Sequence, residues 1–243
     1  MPRALWLADV LSSAGLKIKP YPGWESRGRS DFAPVGLMWH HTVTSPSTPD
    51  STVDRILAVT GSSLVSAPLC NYSTNRDGTV SIIASGTANH GGRGGWQGKS
   101  GNRLFLGDEM KNRGTNALEP WPAVQLESAR IAAAAVLDHI RRDASWLCGH
   151  KEYALPPGRK TDPHTLVMDA ERARVAALME ENMAWTQPGD PVLDTEDADA
   201  VFAYQGTFAP GQNQASYDPA ELQEANDRLW IVLARITDWA MRQ

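Results

Sequence analysis

The chain has 243 residues, a formal net charge of -5 and two cysteines. That length permits one sizeable domain with extras, burying roughly two thirds of its unfolded surface. Lacking a concentrated Lys/Arg stripe, it is not expected to bind nucleic acid, because phosphate binding relies on clustered cations. No stretch reaches the ~20 apolar residues of a membrane helix, so no membrane insertion is expected. Cys70 and Cys148 make no disulfide framework, and the absence of a CxxC pair argues against a cysteine-rich zinc site.

In chain order, "MPRALWLADVLSSAGL" opens with an apolar run broken by Asp9 and one early cation, Arg3, a poor secretory signal. Synthesis in the cytoplasm is the expectation, with any action outside needing another export route. The spacing predicts a short helix ending near Gly15, then a polar loop through "YPGWESRGRSDF". "VGLMWHHTVT", residues 35–44, reads as a strand, and "STVDRILAVTG" as a helix ending at Gly61. "LCNYSTNRDGTVSIIA" has hairpin form, since Asp77-Gly78 tolerates the positive φ of a tight turn. "GGRGGWQGKSGN" is a loop, and "RLFLGDEM" another strand. A phosphate loop is rejected there, because the first glycine of GxxxxGK[ST] would have to be Arg93.

Residues 122–143 form the clearest helix, with Pro122 suited to its first turn. "WLCGH" is a short strand running into "GHKEYALPPGRKTDPH", which is expected to be neither a regular helix nor a central strand. "MDAERARVAALMEENMAW" supplies a last domain helix, with Asp169 as N-cap. The composition then shifts, giving a linker at 186–218 and an amphipathic helix at 219–243. Leu222, Ala225, Leu229, Val232, Ile236 and Trp239 follow heptad spacing in that helix. Packing on its own domain and self-association stand as equal readings of it. The fold class is α/β, a central mixed β-sheet flanked by helices, over residues 1–185.

Three segments meet at the strand ends of such a sheet: "WHHT", "GDEMKN" and "GHKEYALPPGRKTDPH". Neighbouring strand residues face opposite ways, so only one of His40 and His41 serves a site. One histidine from that strand, His150 and Asp162 make three donors, the count a catalytic zinc uses while keeping a fourth position for water. Lys160, two residues before Asp162 in an extended segment, shares its side and is placed to stabilise an oxyanion. Glu109 is placed to take the proton of the attacking water.

These segments, with "NRDGTV" and "ANHGG", resemble the type 2 N-acetylmuramoyl-L-alanine amidase family, which also includes peptidoglycan recognition proteins. Within it they resemble amidase domains of endolysins from phages of actinobacteria, where "GHKE…PGRK.DP" and an "EPWP" before a long helix recur. The likeness covers about residues 1–183 and implies a catalytic domain cutting the bond between N-acetylmuramic acid and L-alanine in peptidoglycan. It puts the zinc ligands at His40, His150 and Asp162, the catalytic glutamate at Glu109 and the lysine at Lys160. It places His90 near the substrate groove, and Trp96 and Arg93 are candidates to rest against a sugar or peptide stem. Where many members carry tyrosine before the hairpin this chain has Cys70, and "GDEM" sets Asp108 beside Glu109. The rival expectations are a recognition protein that binds without cleaving and a recycling amidase acting on anhydro-muropeptides.

Overall fold

The computed structural model describes residues 3–114 and 119–183. These fall within one compact unit, Met1–Trp185, and the linker and C-terminal helix expected from sequence lie outside the described residues. Strands β1 (Ile18–Pro20), β2 (Gly36–His41), β3 (Tyr72–Thr74), β4 (Val80–Ile82), β5 (Phe105–Met110) and β6 (Leu147–Gly149) form one sheet in the order β1-β4-β3-β5-β2-β6. Only β3 and β4 run antiparallel, joined by the tight turn in which Gly78 takes φ 82°; the other pairings are parallel. The mixed sheet is the one the sequence implies.

Helices α1 (Leu7–Ser13), α3 (Ala123–His139) and α5 (Met168–Met183) supply the main apolar core, packing on sheet residues Leu37, Trp39, Leu106, Met110 and Leu147. The alternation of strand side chains sends Met38, Phe105 and Cys148 to the other face, where Tyr153 closes over them. On that second face also lie α2 (Asp50–Arg55) and a π turn, Ile56–Thr60, which together occupy the segment predicted as one helix. Lys111 at the end of β5 is fully buried and paired with Asp54 of α2 at 2.7 Å; Asp54 also accepts from Ser81 Oγ at 3.0 Å. Removing one partner of such a pair costs about 3–5 kcal/mol, so the contact fixes α2 against the sheet.

Three local expectations are corrected. β1 lies inside the segment read as loop; its Lys19 and Pro20 give no apolar alternation, and Pro is tolerated there because β1 is an edge strand. His150–Tyr153 forms a one-turn helix, α4, within the Pro/Gly-rich segment, where the Glu152 side chain accepts from the Gly149 N–H at 2.8 Å. Asp169 sits inside the first turn of α5 and accepts from Arg172 at 2.6 Å. Both cysteines are buried free thiols, raised by desolvation above the usual thiol range.

Candidate active site

β2 and β5 run side by side with His40 opposite Glu109 and Trp39 opposite Asp108. One register pair therefore faces the α2 side and the next faces the helical core. His40 is 1% exposed and His150, at the first position of α4, is 3% exposed. Their Nδ1 atoms lie 3.0 Å apart, and Oδ2 of Asp162 is 3.0 Å from each. Among the described residues these three side chains form a group able to hold a metal ion.

The surroundings decide which ring nitrogens carry protons. His150 Nε2 faces the carbonyl of Gly91 at 2.9 Å and His90 Nε2 faces the carbonyl of Phe105 at 3.1 Å. A carbonyl only accepts, so both Nε2 atoms are donors. A neutral His90 then offers its Nδ1 lone pair to His40 Nε2, 3.0 Å away. Both Nδ1 atoms of the cluster are left as lone pairs pointing at a carboxylate oxygen. Three acceptors with no donor between them repel unless a cation sits among them. Their spacing is near the edge of a tetrahedron around an ion with ligands at ~2.0–2.1 Å, roughly 3.3 Å.

The charge states agree. Burial pushes the His40 imidazole down to about 4, against the pull of Asp162, which keeps it neutral. Burial raises the Asp162 carboxyl, whereas hydrogen bonds from an Nδ1–H of His150 or His40 would hold it below the usual carboxylate range; with both Nδ1 atoms unprotonated, a cation takes over that stabilising part. Glu109 moves the opposite way. Burial, then the charges of Asp162 and Asp108, lift its carboxyl well above the usual range, and its Oε2 is buried without a partner. Lys160 is exposed, yet near enough that its charge bears on both His40 and Glu109.

The segment carrying Asp162 is strapped down by its neighbours. The Lys151 N–H donates to the Asp162 carbonyl at 2.7 Å, and Lys151 Nζ to the carbonyls of Pro163 and Leu166. His41, on the other side of β2 from His40, accepts from the His164 N–H at 3.2 Å. Trp121 donates to the His164 carbonyl at 3.1 Å and stands edge-on to His41. The "EPWP" motif thus reaches the site through backbone anchoring, a role its sequence did not signal.

The remaining sequence candidates are not among the three donors. His90 has both ring nitrogens engaged within the protein, behind His40. Trp96 donates its indole N–H to the Ser145 carbonyl at 2.8 Å, and Arg172 stacks over its ring. The Arg93 side chain is exposed, while its carbonyl accepts from Leu155 N and Arg159. Asp108 is fully buried, and both its oxygens accept from Thr74.

A mixed sheet that gathers two imidazoles and a carboxylate at one edge defines a class: an α/β protein with a candidate metal centre. Residues 30–165 match the family model described as N-acetylmuramoyl-L-alanine amidase. The chain belongs to the N-acetylmuramoyl-L-alanine amidase family. Among solved structures it is similar to AmpD, solved as a selenomethionine derivative (TM-score 0.51, 21% identity, 66% of this chain and 93% of that one). It is also similar to the hydrolase AmiA of Staphylococcus aureus in complex with its ligand (TM-score 0.50, 13% identity, 76% and 96%). The endolysin N-acetylmuramoyl-L-alanine amidase LysCS of Clostridium intestinale is a further match (TM-score 0.49, 18% identity, 65% and 95%). Comparison with curated proteins gives no match.

Proposed function

We propose that this chain is a zinc-dependent endolysin that hydrolyses the amide between N-acetylmuramic acid and L-alanine in peptidoglycan. The carrying observation is the convergence of His40 Nδ1, His150 Nδ1 and Asp162 Oδ2 as three mutual acceptors 3.0 Å apart. Two neutral nitrogens and one carboxylate suit zinc in kind and number, and three protein ligands are what catalytic zinc sites use. Bound there, zinc supplies a Lewis acid that polarises the scissile carbonyl and acidifies the attacking water.

Glu109 accepts that water's proton and passes it to the leaving amine. Burial and the charges of Asp162 and Asp108 lift its carboxyl, and its Oε2 has no protein partner, which suits a group that takes and returns a proton. Lys160, whose charge bears on His40 and Glu109, is assigned to stabilise negative charge on the tetrahedral oxygen. Arg93, exposed in the loop whose Gly91 carbonyl accepts from His150, is the candidate contact for the stem peptide. The presence of all three donors favours cleavage over binding alone.

This reading has the protein made in a host cytoplasm and acting on the wall after release. Among the described residues no helix is long and apolar enough to cross a membrane. The heptad-spaced 219–243 segment is assigned to self-association or wall targeting. Product analysis tests the reading: new L-alanine amino termini from intact sacculi support the lytic role. Release from soluble anhydro-muropeptides alone supports a recycling amidase, and release from neither a non-catalytic binder.

A further inference from the structure

The "ANHGG" loop has been assigned to the substrate side by sequence, yet its polar atoms point the other way. His90 and Gly91, adjacent in the chain, each touch one of the two cluster histidines. The His90 ring meets His40 edge-on, with centroids 5.1 Å apart and planes at 87°, and its Nδ1 receives His40 Nε2 at 3.0 Å. The Gly91 carbonyl receives His150 Nε2 at 2.9 Å. The dipeptide is itself anchored. His90 Nε2 donates to the Phe105 carbonyl, and the Gly91 N–H donates to Asn102 Oδ1 at 2.9 Å.

The sheet makes room for this arrangement. Gly107 of β5 is on the same face as Glu109, and a Cβ there would lie 2.9 Å from His90 Cγ and Nδ1. Any other residue at 107 would push the His90 ring off its place behind His40. Asn71 secures that stretch of β5, accepting from the Gly107 N–H at 3.0 Å.

We propose that His90 is a positioning residue that holds His40 as its Nε2–H tautomer and so aims the Nδ1 lone pair at the metal site. The inference rests on the zinc reading above but concerns the tautomer of the protein without metal as well. Without the His90 acceptor, a neutral His40 gains nothing from keeping its proton on Nε2. The proton can move to Nδ1 and donate to Asp162, which blocks the ligand atom. Partners that orient a ligand imidazole typically contribute 10–100-fold to metal affinity.

The test uses the full chain. In metal-free wild-type protein, ¹⁵N shifts of the His40 ring should show protonated Nε2 and unprotonated Nδ1; a proton on Nδ1 would overturn the proposal without any variant. His90→Leu removes the acceptor at similar bulk and should weaken zinc binding, read by chelator competition, roughly 10–100-fold. His90→Asn, whose Oδ1 stands near the place of the imidazole Nδ1, should restore most of that affinity. KM of the zinc-saturated variants should stay at the wild-type value. A His90→Leu variant with wild-type zinc affinity and a raised KM would return His90 to the substrate side. Wild-type protein that binds no zinc yet keeps the Nε2–H tautomer would sink the proposed function while leaving this inference standing.

Discussion

Two adjacent carboxylates on β5 have opposite fates, as do two adjacent histidines on β2. Asp108 and His41 face the helical side; Glu109 and His40 face the site. Asp108 is buried among Thr74 donors, and burial lifts its carboxyl to about 7. Glu109 is also lifted by burial, but its Oε2 has no protein partner, which leaves that oxygen for a reactant. His41 is occupied in holding the backbone at His164, whereas His40 keeps a free lone pair at the cluster. A raised pKa by itself does not single out the candidate base. What separates the two faces is whether the protein has already satisfied the side chain.

Substitutions on the two faces should break that comparison unequally. Asp162→Ala should have the largest effect, removing both zinc and amidase activity, since it deletes the charged member of the donor set. Glu109→Gln should keep zinc and lower kcat about 10²–10⁴-fold, the range for loss of a general base. Full activity in that variant would move the base elsewhere. His41→Phe should fold and keep measurable turnover while binding zinc severalfold more weakly, because the strap bearing Asp162 loses the acceptor for the His164 N–H.

Asp108→Asn should leave kcat and KM near wild type and act on stability instead. A carboxyl whose folded pKa is above its unfolded value gives stability that is fully present below about 3.8 and lost as pH rises to about 7. Denaturant unfolding of the wild type relative to Asp108→Asn should therefore show a difference that shrinks or reverses over that window and then levels off. Its ceiling is about 4 kcal/mol, from roughly three pKa units at 1.36 kcal/mol each. A change in turnover without this pH signature would instead place Asp108 in the chemistry.

Much of the site was legible because its chemistry is concentrated in motifs. His150, Lys160 and Asp162 fall within one short segment, and strand alternation alone allowed only one of His40 and His41 at the cluster. The sheet and the main helices were legible from apolar spacing. What escaped was set by tertiary fit. The place of His90 depends on the missing Cβ of Gly107, a strand position far away in sequence. Trp96 could not be seen as tied to Ser145 and Arg172, since neither partner is near it in the chain. β1 is a three-residue edge strand with one half-buried side chain, too little for a pattern. α4 is a single turn started by the Glu152-to-Gly149 contact and held to the Asp162 carbonyl through the Lys151 N–H, inside a segment whose prolines argue against helix.

Metal analysis of the purified protein bears most directly on the central claim. One zinc per chain in the wild type, kept in Glu109→Gln and absent from Asp162→Ala, is the predicted result. A folded wild type that takes up no zinc, or an Asp162→Ala protein that holds it as tightly as wild type, would contradict the account.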